Sequence, residues 1–333
     1  MTPRRKTDWY TACRREQERW KSATLTLPDD ARAPGLTWVQ DERGGRKLVG
    51  PFPICLPLEH AAANLLPGIR AEALSRFIRH EIEWHHGGES PDGTPWPCGH
   101  LLDSQVQCVN TLLTLAHEPG AILDFALAVE PEAETVVDVE DGSPVAFEWV
   151  GLADHLGEWR GRPPTKRGRF TTSADALMVA RRRDGGRTGI IVEWKYTESY
   201  AHPKSFWGDG GTDRREVYRA RYERGTSAFR SRPPIEAYFH EPHYQLLRLT
   251  LLADAMVSAA ELGIDRAVVV HAVPRGNDAL LRTVPGALSE FGATVPEVWT
   301  ALVGGGPVRW RWLDTTPWLG ATEAMAERYA PQR

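Results

Sequence analysis

The chain has 333 residues, of which 41% are hydrophobic and 25% are charged, and its formal net charge is −4 at pH 7. A chain of this length can bury a core without metal or disulfide staples, so we expect one α/β domain, alone or with a small appendage, rather than a disulfide- or metal-stapled mini-protein. The four cysteines form no CxxC pair and follow no signal sequence, and no stretch is apolar enough to cross a membrane. We therefore expect a cytoplasmic protein with free thiols and no membrane contact.

The N-terminal region is predicted to be helical. A basic amphipathic helix is predicted over residues 5–22, and helical periodicity returns over residues 70–86 after a stretch punctuated by glycine and proline. An apolar helix is predicted over residues 101–117, which Pro119 and Gly120 should end.

Strands, a helix and another strand follow in an order typical of a single α/β core. The three strands are predicted over residues 145–152, 171–182 and 189–197, the helix over 244–262 and the last strand over 266–273. A long loop rich in arginine, glycine and tyrosine separates the third strand from the helix. This order predicts an α/β fold with a mixed central sheet and helical decoration before it.

The strand GIIVEWKYTE carries an acid and a base on one face. Because side chains alternate with period two, Glu193 and Lys195 point to the same side of the sheet. One strand earlier, Asp175 is the sole acid in a run of small and apolar residues. Asp175 and Glu193 lie at about equal distance from the turn near Gly185, so the hairpin should bring them together.

The length of that turn decides whether Asp175 joins the pair. Residues that face each other across a hairpin share a side of the sheet, so Asp175 must lie opposite Glu193 or Lys195. A two-residue turn at Asp184 and Gly185 would direct Asp175 to the other side. We therefore predict an odd-length loop centred on one of these two residues, or a bulge.

Two carboxylates and a lysine at one sheet edge form an oxygen-rich site that suits Mg²⁺ or Mn²⁺. An ion held there would lower the pKa of a bound water, while the lysine would hold that water and neutralise charge that develops on phosphorus. Arginine cannot share a proton near neutral pH, so lysine should not be replaceable at this position.

Asp175, a spacer of 17 residues and then Glu193-Trp194-Lys195, in this order of elements, resemble the PD-(D/E)xK nuclease superfamily, which has the restriction-endonuclease-like fold. The sequence departs from the motif in having Ala174 where proline is expected. The resemblance implies that Asp175, Glu193 and the carbonyl of Trp194 are metal ligands and that Lys195 is the catalytic lysine.

More narrowly, four sequence blocks are similar to those of bacterial restriction endonucleases: FEW at Phe147, TTSADA at Thr171, EWKYTESY at Glu193 and EPHYQLLRLTLLA at Glu241. The resemblance implies a nuclease core over residues 100–280, an N-terminal helical and loop region over 1–99 and a C-terminal helix and strand extension over 281–333. Nucleic acid, most simply DNA, is the expected substrate. A second copy or a partner protein of a restriction or phage-defence system is the expected protein partner.

Further polar residues are candidates for the same site. Glu148, on the strand before Asp175, could supply another carboxylate to the metal. Gln245 resembles a glutamine that faces the active site in some branches of the superfamily, and Arg169, Arg248 and Gln105 are candidates for substrate contacts.

The sequence thus predicts a Mg²⁺-dependent nuclease that hydrolyses phosphodiester bonds, with a non-cleaving nucleic-acid-binding module on the same fold as the alternative. A glycoside hydrolase that used Glu193 and Asp175 as acid and base is disfavoured by Lys195 and by the arginine-rich flanks.

Overall fold

A mixed sheet of six strands organises one part of the chain, within the residues that the computed structural model describes: 7–40, 45–89, 94–159, 166–168, 171–208, 211–224 and 227–329. The chain divides into two units. Unit 1 contains Met1–Glu118 and Thr315–Arg333, and unit 2 contains Pro119–Asp314. The boundaries at residues 99 and 280 that the sequence suggested stay a prediction.

The helices in chain order are α1 (Asp8–Ala23), α2 (Arg70–Arg79), α3 (Ser104–Ala116), α4 (Pro119–Val129), α5 (Arg214–Arg224), α6 (His243–Ser258), α7 (Asp278–Leu281), α8 (Val295–Leu302) and α9 (Glu323–Tyr329). The strands are β1 (Gly35–Gln40), β2 (Arg46–Phe52), β3 (Gly88–Glu89), β4 (Pro95–Trp96), β5 (Ala133–Val137), β6 (Ala146–Trp149), β7 (Ala174–Arg182), β8 (Arg187–Trp194), β9 (Arg266–Ala272) and β10 (Val308–Leu313).

Local capping explains where the helices of unit 1 begin and end. The Thr7 hydroxyl accepts a hydrogen bond from the Tyr10 N–H and begins α1. The helix α2 ends well before residue 86, because Glu81 adopts a left-handed backbone conformation and the Ile82 N–H bonds back to the Phe77 carbonyl.

Several elements were not expected from the sequence. Pro119 begins the apolar helix α4, since proline is tolerated in the first turn, where its missing N–H costs nothing. The arginine-rich α5 lies in the stretch predicted as loop, and β1 and β2 form a hairpin in the stretch predicted as irregular.

The sheet of unit 2 has the order β10-β9-β8-β7-β5, and β6 also pairs with β7. Strand β7 runs antiparallel to β5, β6 and β8, whereas β8, β9 and β10 run parallel to one another. The mixed α/β architecture predicted from the sequence is therefore confirmed. Helix α6 lies in the connection between β8 and β9, and Leu247 and Leu251 share a buried core with Leu177, Ile191 and Val269.

The β7–β8 hairpin has the odd-length loop that the sequence analysis required. The pairs run from Arg181 opposite Arg187 to Ala176 opposite Val192, which centres the loop on Asp184. Gly185 closes the loop with a φ of +86°, a conformation that glycine adopts without strain.

No single helix in the described part of the chain is long and apolar enough to span a membrane. Only α3 and α4 together, as a bent pair, meet the length and composition criteria.

We expect Gly185→Ala to lower the free energy of unfolding by about 1 kcal/mol, because a Cβ disfavours the left-handed backbone even where it meets no neighbour. Urea unfolding measures the change. Gly120→Ala in α4, where a Cβ also meets nothing, is the matched control and should be neutral or stabilising. Equal stability of Gly185→Ala and the wild type would contradict the left-handed loop.

Candidate active site

The three residues of the sequence motif meet on one face of the sheet. The β7–β8 register, continued by one pair, puts Asp175 opposite Glu193. The Asp175 Oδ2 atom accepts a hydrogen bond from the Trp194 N–H at 2.6 Å, and the Lys195 Nζ atom lies 2.6 Å from Glu193 Oε1. The predicted convergence of Asp175, Glu193 and Lys195 is confirmed.

The ion pair in this site is almost entirely removed from water. Only 3% of Glu193 and 6% of Lys195 is exposed, and Asp175 is half-buried. Burying such charges is costly unless each has a partner, so Lys195 and Glu193 depend on each other.

The carboxylates in the site crowd one another. Burial raises the pKa of Asp175 well above its ordinary value, and the neighbouring charges of Glu193 and Glu148 raise it further, against the opposing effect of Lys195. A site that holds more acid than base attracts a cation.

Lys195 stays protonated in this environment. Burial alone would lower its pKa, but the contact with Glu193, supported by Tyr200 and Asp175, outweighs burial and raises the pKa well above the ordinary lysine value. The proton-sharing role expected from the sequence stays a prediction. In this state the ammonium can neutralise charge and donate hydrogen bonds.

Glu148 is held in a strained backbone conformation beside Asp175. Its neighbours Phe147 and Trp149 pair with residues on either side of Asp175, while Glu148 itself has a φ of +48°. Only 1% of Glu148 is exposed, and its Oε2 atom accepts a hydrogen bond from Ser173 Oγ at 2.7 Å. Strain of this kind persists only where the surroundings enforce it.

Glycine at position 168 leaves room for that carboxylate. A Cβ on Gly168 would lie 2.8 Å from Glu148 Oε2, so a larger residue would collide with it. The short stretch 166–168 therefore packs directly against the acidic group.

The donor set suits a small hard cation. Among the described residues no three side chains of His, Cys, Asp or Glu meet in a ready-made metal cluster. Asp175 and Glu193 offer carboxylate oxygens, and the Trp194 carbonyl is adjacent in the chain. Mg²⁺ is commonly held by one or two carboxylates with its other positions filled by water and phosphate oxygens, so these residues fit it.

The candidate substrate-binding residues have different surroundings. Gln245 is half-buried at the start of α6, where its N–H donates to Glu241 Oε2, and its side-chain Oε1 has no partner in the described part of the chain. Arg248 donates to Thr172 Oγ1 at 3.0 Å and lies over the Tyr244 ring, so its guanidinium is already engaged in the fold.

The structure does not test the other two candidates, Gln105 and Arg169. Gln105 belongs to unit 1, where its amide accepts from the His85 N–H and donates to the Glu83 carbonyl. Arg169 lies outside the described residues. A substrate role for either one stays a prediction.

Sequence reasoning missed His271. It lies opposite Glu193 in the parallel β8–β9 pairing, is fully buried, and has no hydrogen-bond partner for either ring nitrogen among the described residues. Burial and the neighbouring Lys195 charge lower its pKa well below the ordinary value, so it is neutral. The polar interruption in RAVVVHAV was the available signal, but only the strand register places it beside Glu193.

A comparison with known protein families shows which family the chain belongs to. The model of the family described as restriction endonuclease associating with ARP matches residues 14–301. The chain belongs to this family. No curated protein and no solved structure matches it.

The match to the restriction endonuclease associating with ARP family includes β6 to β9, and therefore Glu148, Asp175, Glu193 and Lys195. A restriction-endonuclease-like family is thus confirmed. The role of each residue is a separate question, because the match names no catalytic residue.

We expect Asp175→Asn to stabilise the protein in EDTA, by on the order of 1 kcal/mol at pH 8. The folded chain raises the pKa of Asp175, so protonation favours folding at low pH, and this contribution is lost as the pH rises through the raised value. The advantage of the amide over the wild type should therefore grow with pH, as measured by chemical unfolding across a pH series.

Asp184→Asn is the control, and its effect on stability should depend on pH in the opposite direction. Hydrogen bonds from the Gly186 N–H and from Arg182 lower the pKa of Asp184, so its carboxylate stabilises the fold above the ordinary carboxyl range and this contribution is lost on acidification. The amide should destabilise the protein at neutral pH and match the wild type in acid. The same pH trend for both variants would refute the crowding of Asp175.

Proposed function

We propose that this protein is a Mg²⁺- or Mn²⁺-dependent nuclease that hydrolyses phosphodiester bonds, with DNA as the substrate. The observation that carries the proposal is the placement of Asp175, Glu193 and Lys195 on one face of the sheet, in a member of a restriction endonuclease family. A module that only bound nucleic acid would gain nothing from crowded carboxylates, since they repel phosphate.

Asp175, Glu193 and the Trp194 carbonyl would hold the ion, and Glu148 would add a further carboxylate. When bound, the ion supplies Lewis-acid polarisation of the phosphate and lowers the pKa of a bound water. The crowding that raises the pKa of Asp175 supports this assignment, because a cation would relieve the repulsion.

Lys195 would stabilise the charge that develops on the phosphoryl oxygens. Its ammonium is protonated and desolvated, and an electrostatic interaction is stronger in such surroundings than in water. Gln245 has an amide oxygen without a partner among the described residues, and Arg248 carries positive charge close to the start of β7. Both could orient the substrate strand.

The family description names a partner, and we propose that this chain also acts with a protein of that kind in restriction or phage defence. Co-purification of the two proteins would test the association independently of catalysis.

Cleavage of supercoiled plasmid, linear DNA and RNA with Mg²⁺ or EDTA tests the proposal. We expect DNA cleavage with Mg²⁺ alone, and its abolition in Asp175→Ala and in Glu193→Ala. Glu134→Gln, an exposed change on β5 of the same sheet, is the matched control and should keep full activity. Unchanged cleavage by either alanine variant would contradict the assignment.

Replacement of Lys195 distinguishes the effect of its positive charge from the effect of its size and shape. Lys195→Ala removes the positive charge from the buried pair, and Lys195→Arg replaces a compact ammonium 2.6 Å from Glu193 by a larger planar guanidinium. Each variant should lower the rate of the chemical step by about 10²- to 10³-fold. Single-turnover rates measure the loss. Full activity of the arginine variant would show that positive charge alone suffices.

A further inference from the structure

An exposed tryptophan lies on a hairpin that follows strand β8 in the sequence. Trp207 is 57% exposed, and its indole makes no hydrogen bond or ring contact with any described residue. We call residues 203–208 and 211–215 the Trp207 hairpin. A single exposed apolar side chain is common on protein surfaces, but tryptophan is enriched at interfaces because its ring is apolar and its N–H can donate a hydrogen bond.

Main-chain bonds fix the shape of this hairpin. Trp207 forms an isolated bridge with Asp213, the Gly208 N–H donates to the Thr212 carbonyl, and the Arg214 N–H donates to the Phe206 carbonyl at 2.8 Å. These bonds hold the main chain on both sides of Trp207.

The first residues of the hairpin contact the segment just before α6, at the end of that helix that is nearer to the motif residues. The Lys204 N–H donates to the Phe239 carbonyl at 2.8 Å, and the rings of Phe206 and Phe239 meet edge to face at 5.0 Å. Two residues further on, Glu241 has its carboxylate close enough to Glu193 to raise the pKa of that group in addition to burial. The Trp207 hairpin is thus tied to the segment that borders the Glu193–Lys195 pair.

Arg214 brings positive charge to the same hairpin. The Arg214 guanidinium donates to the carbonyls of Ser205 and Trp207 at 2.9 and 2.6 Å, and it has no carboxylate partner in the described part of the chain. Lys204, on the same hairpin, pairs with Glu241 at 3.4 Å. An exposed indole and the Arg214 guanidinium on one hairpin complement a nucleobase and its phosphate.

We propose that Trp207 stacks on an unpaired base of the nucleic acid strand that is bound at the motif site. This inference rests on the proposed nuclease function and narrows its substrate to nucleic acid that is single-stranded, frayed or unstacked beside the cleaved bond. Bases within an intact duplex have no free face, so stacking of this kind selects unpaired ones.

Binding of a fluorescein-labelled oligothymidylate in EDTA, followed by fluorescence anisotropy, tests the inference without cleavage. Trp207→Ala should weaken binding by about 5- to 150-fold, the range found for loss of one base–aromatic stack. Trp207→Phe should retain most of the affinity because it keeps a ring. Circular dichroism melting of each variant checks that the fold is intact.

Leu152→Ala is the matched control, since Leu152 is also exposed but its N–H is bonded to Glu261, beyond the far end of α6. This variant should bind like the wild type. The inference would be overturned if the wild type failed to bind, if Trp207→Ala bound as tightly as the wild type, or if Trp207→Ala and Leu152→Ala lost equal affinity. Each of these results would favour a protein partner for the indole.

The two proposals fail in different ways. If binding depends on Trp207 but no nucleic acid is cut with Mg²⁺, the nuclease proposal fails and the stacking site stands. If DNA is cut but the affinity for oligothymidylate does not depend on Trp207, only the stacking proposal fails.

Discussion

The register of the β7–β8 hairpin is the constraint on which the site depends. In an antiparallel pair, a shift by one residue sends every side chain of a strand to the other face. The loop centred on Asp184 sets the register that puts Asp175 across from Glu193. Arg182, which is 2% exposed, secures the loop by bonding to Asp184, Thr188 and Asp265, and so links the hairpin to the beginning of β9.

The site concentrates charge at the expense of stability. Glu193 and Lys195 are buried as a pair, while Asp175 and Glu148 add carboxylates that repel each other and raise the pKa of Asp175. The left-handed backbone of Glu148 adds strain. Such features are typical of a site arranged for a ligand rather than for folding, because apolar residues of the same volume would pack there at lower cost.

The sequence predicted those parts of the fold that local periodicity specifies. Strands β7, β8 and β9 and helix α6 carry long apolar patterns, and the need for Asp175 to face Glu193 was enough to predict the odd loop. Helix α5 was missed because its arginines, Arg219 and Arg221 among them, find acidic partners across the fold rather than forming an apolar stripe.

Within the site, the residues that could not be predicted depend on long-range pairing. His271 is next to Glu193 only because β9 pairs in parallel with β8, and a strand sequence does not specify its neighbour. The conformation of Glu148 depends on Ser173 and on the closeness of Gly168, which the sequence does not reveal.

Anomalous scattering from crystals soaked in Mn²⁺ shows whether Asp175 and Glu193 hold a metal ion, because it locates the ion without reference to activity. If Asp175 and Glu193 hold the ion, a peak lies about 2.0 to 2.3 Å from a carboxylate oxygen of each residue. The absence of a peak there, or a peak on other residues alone, would contradict it.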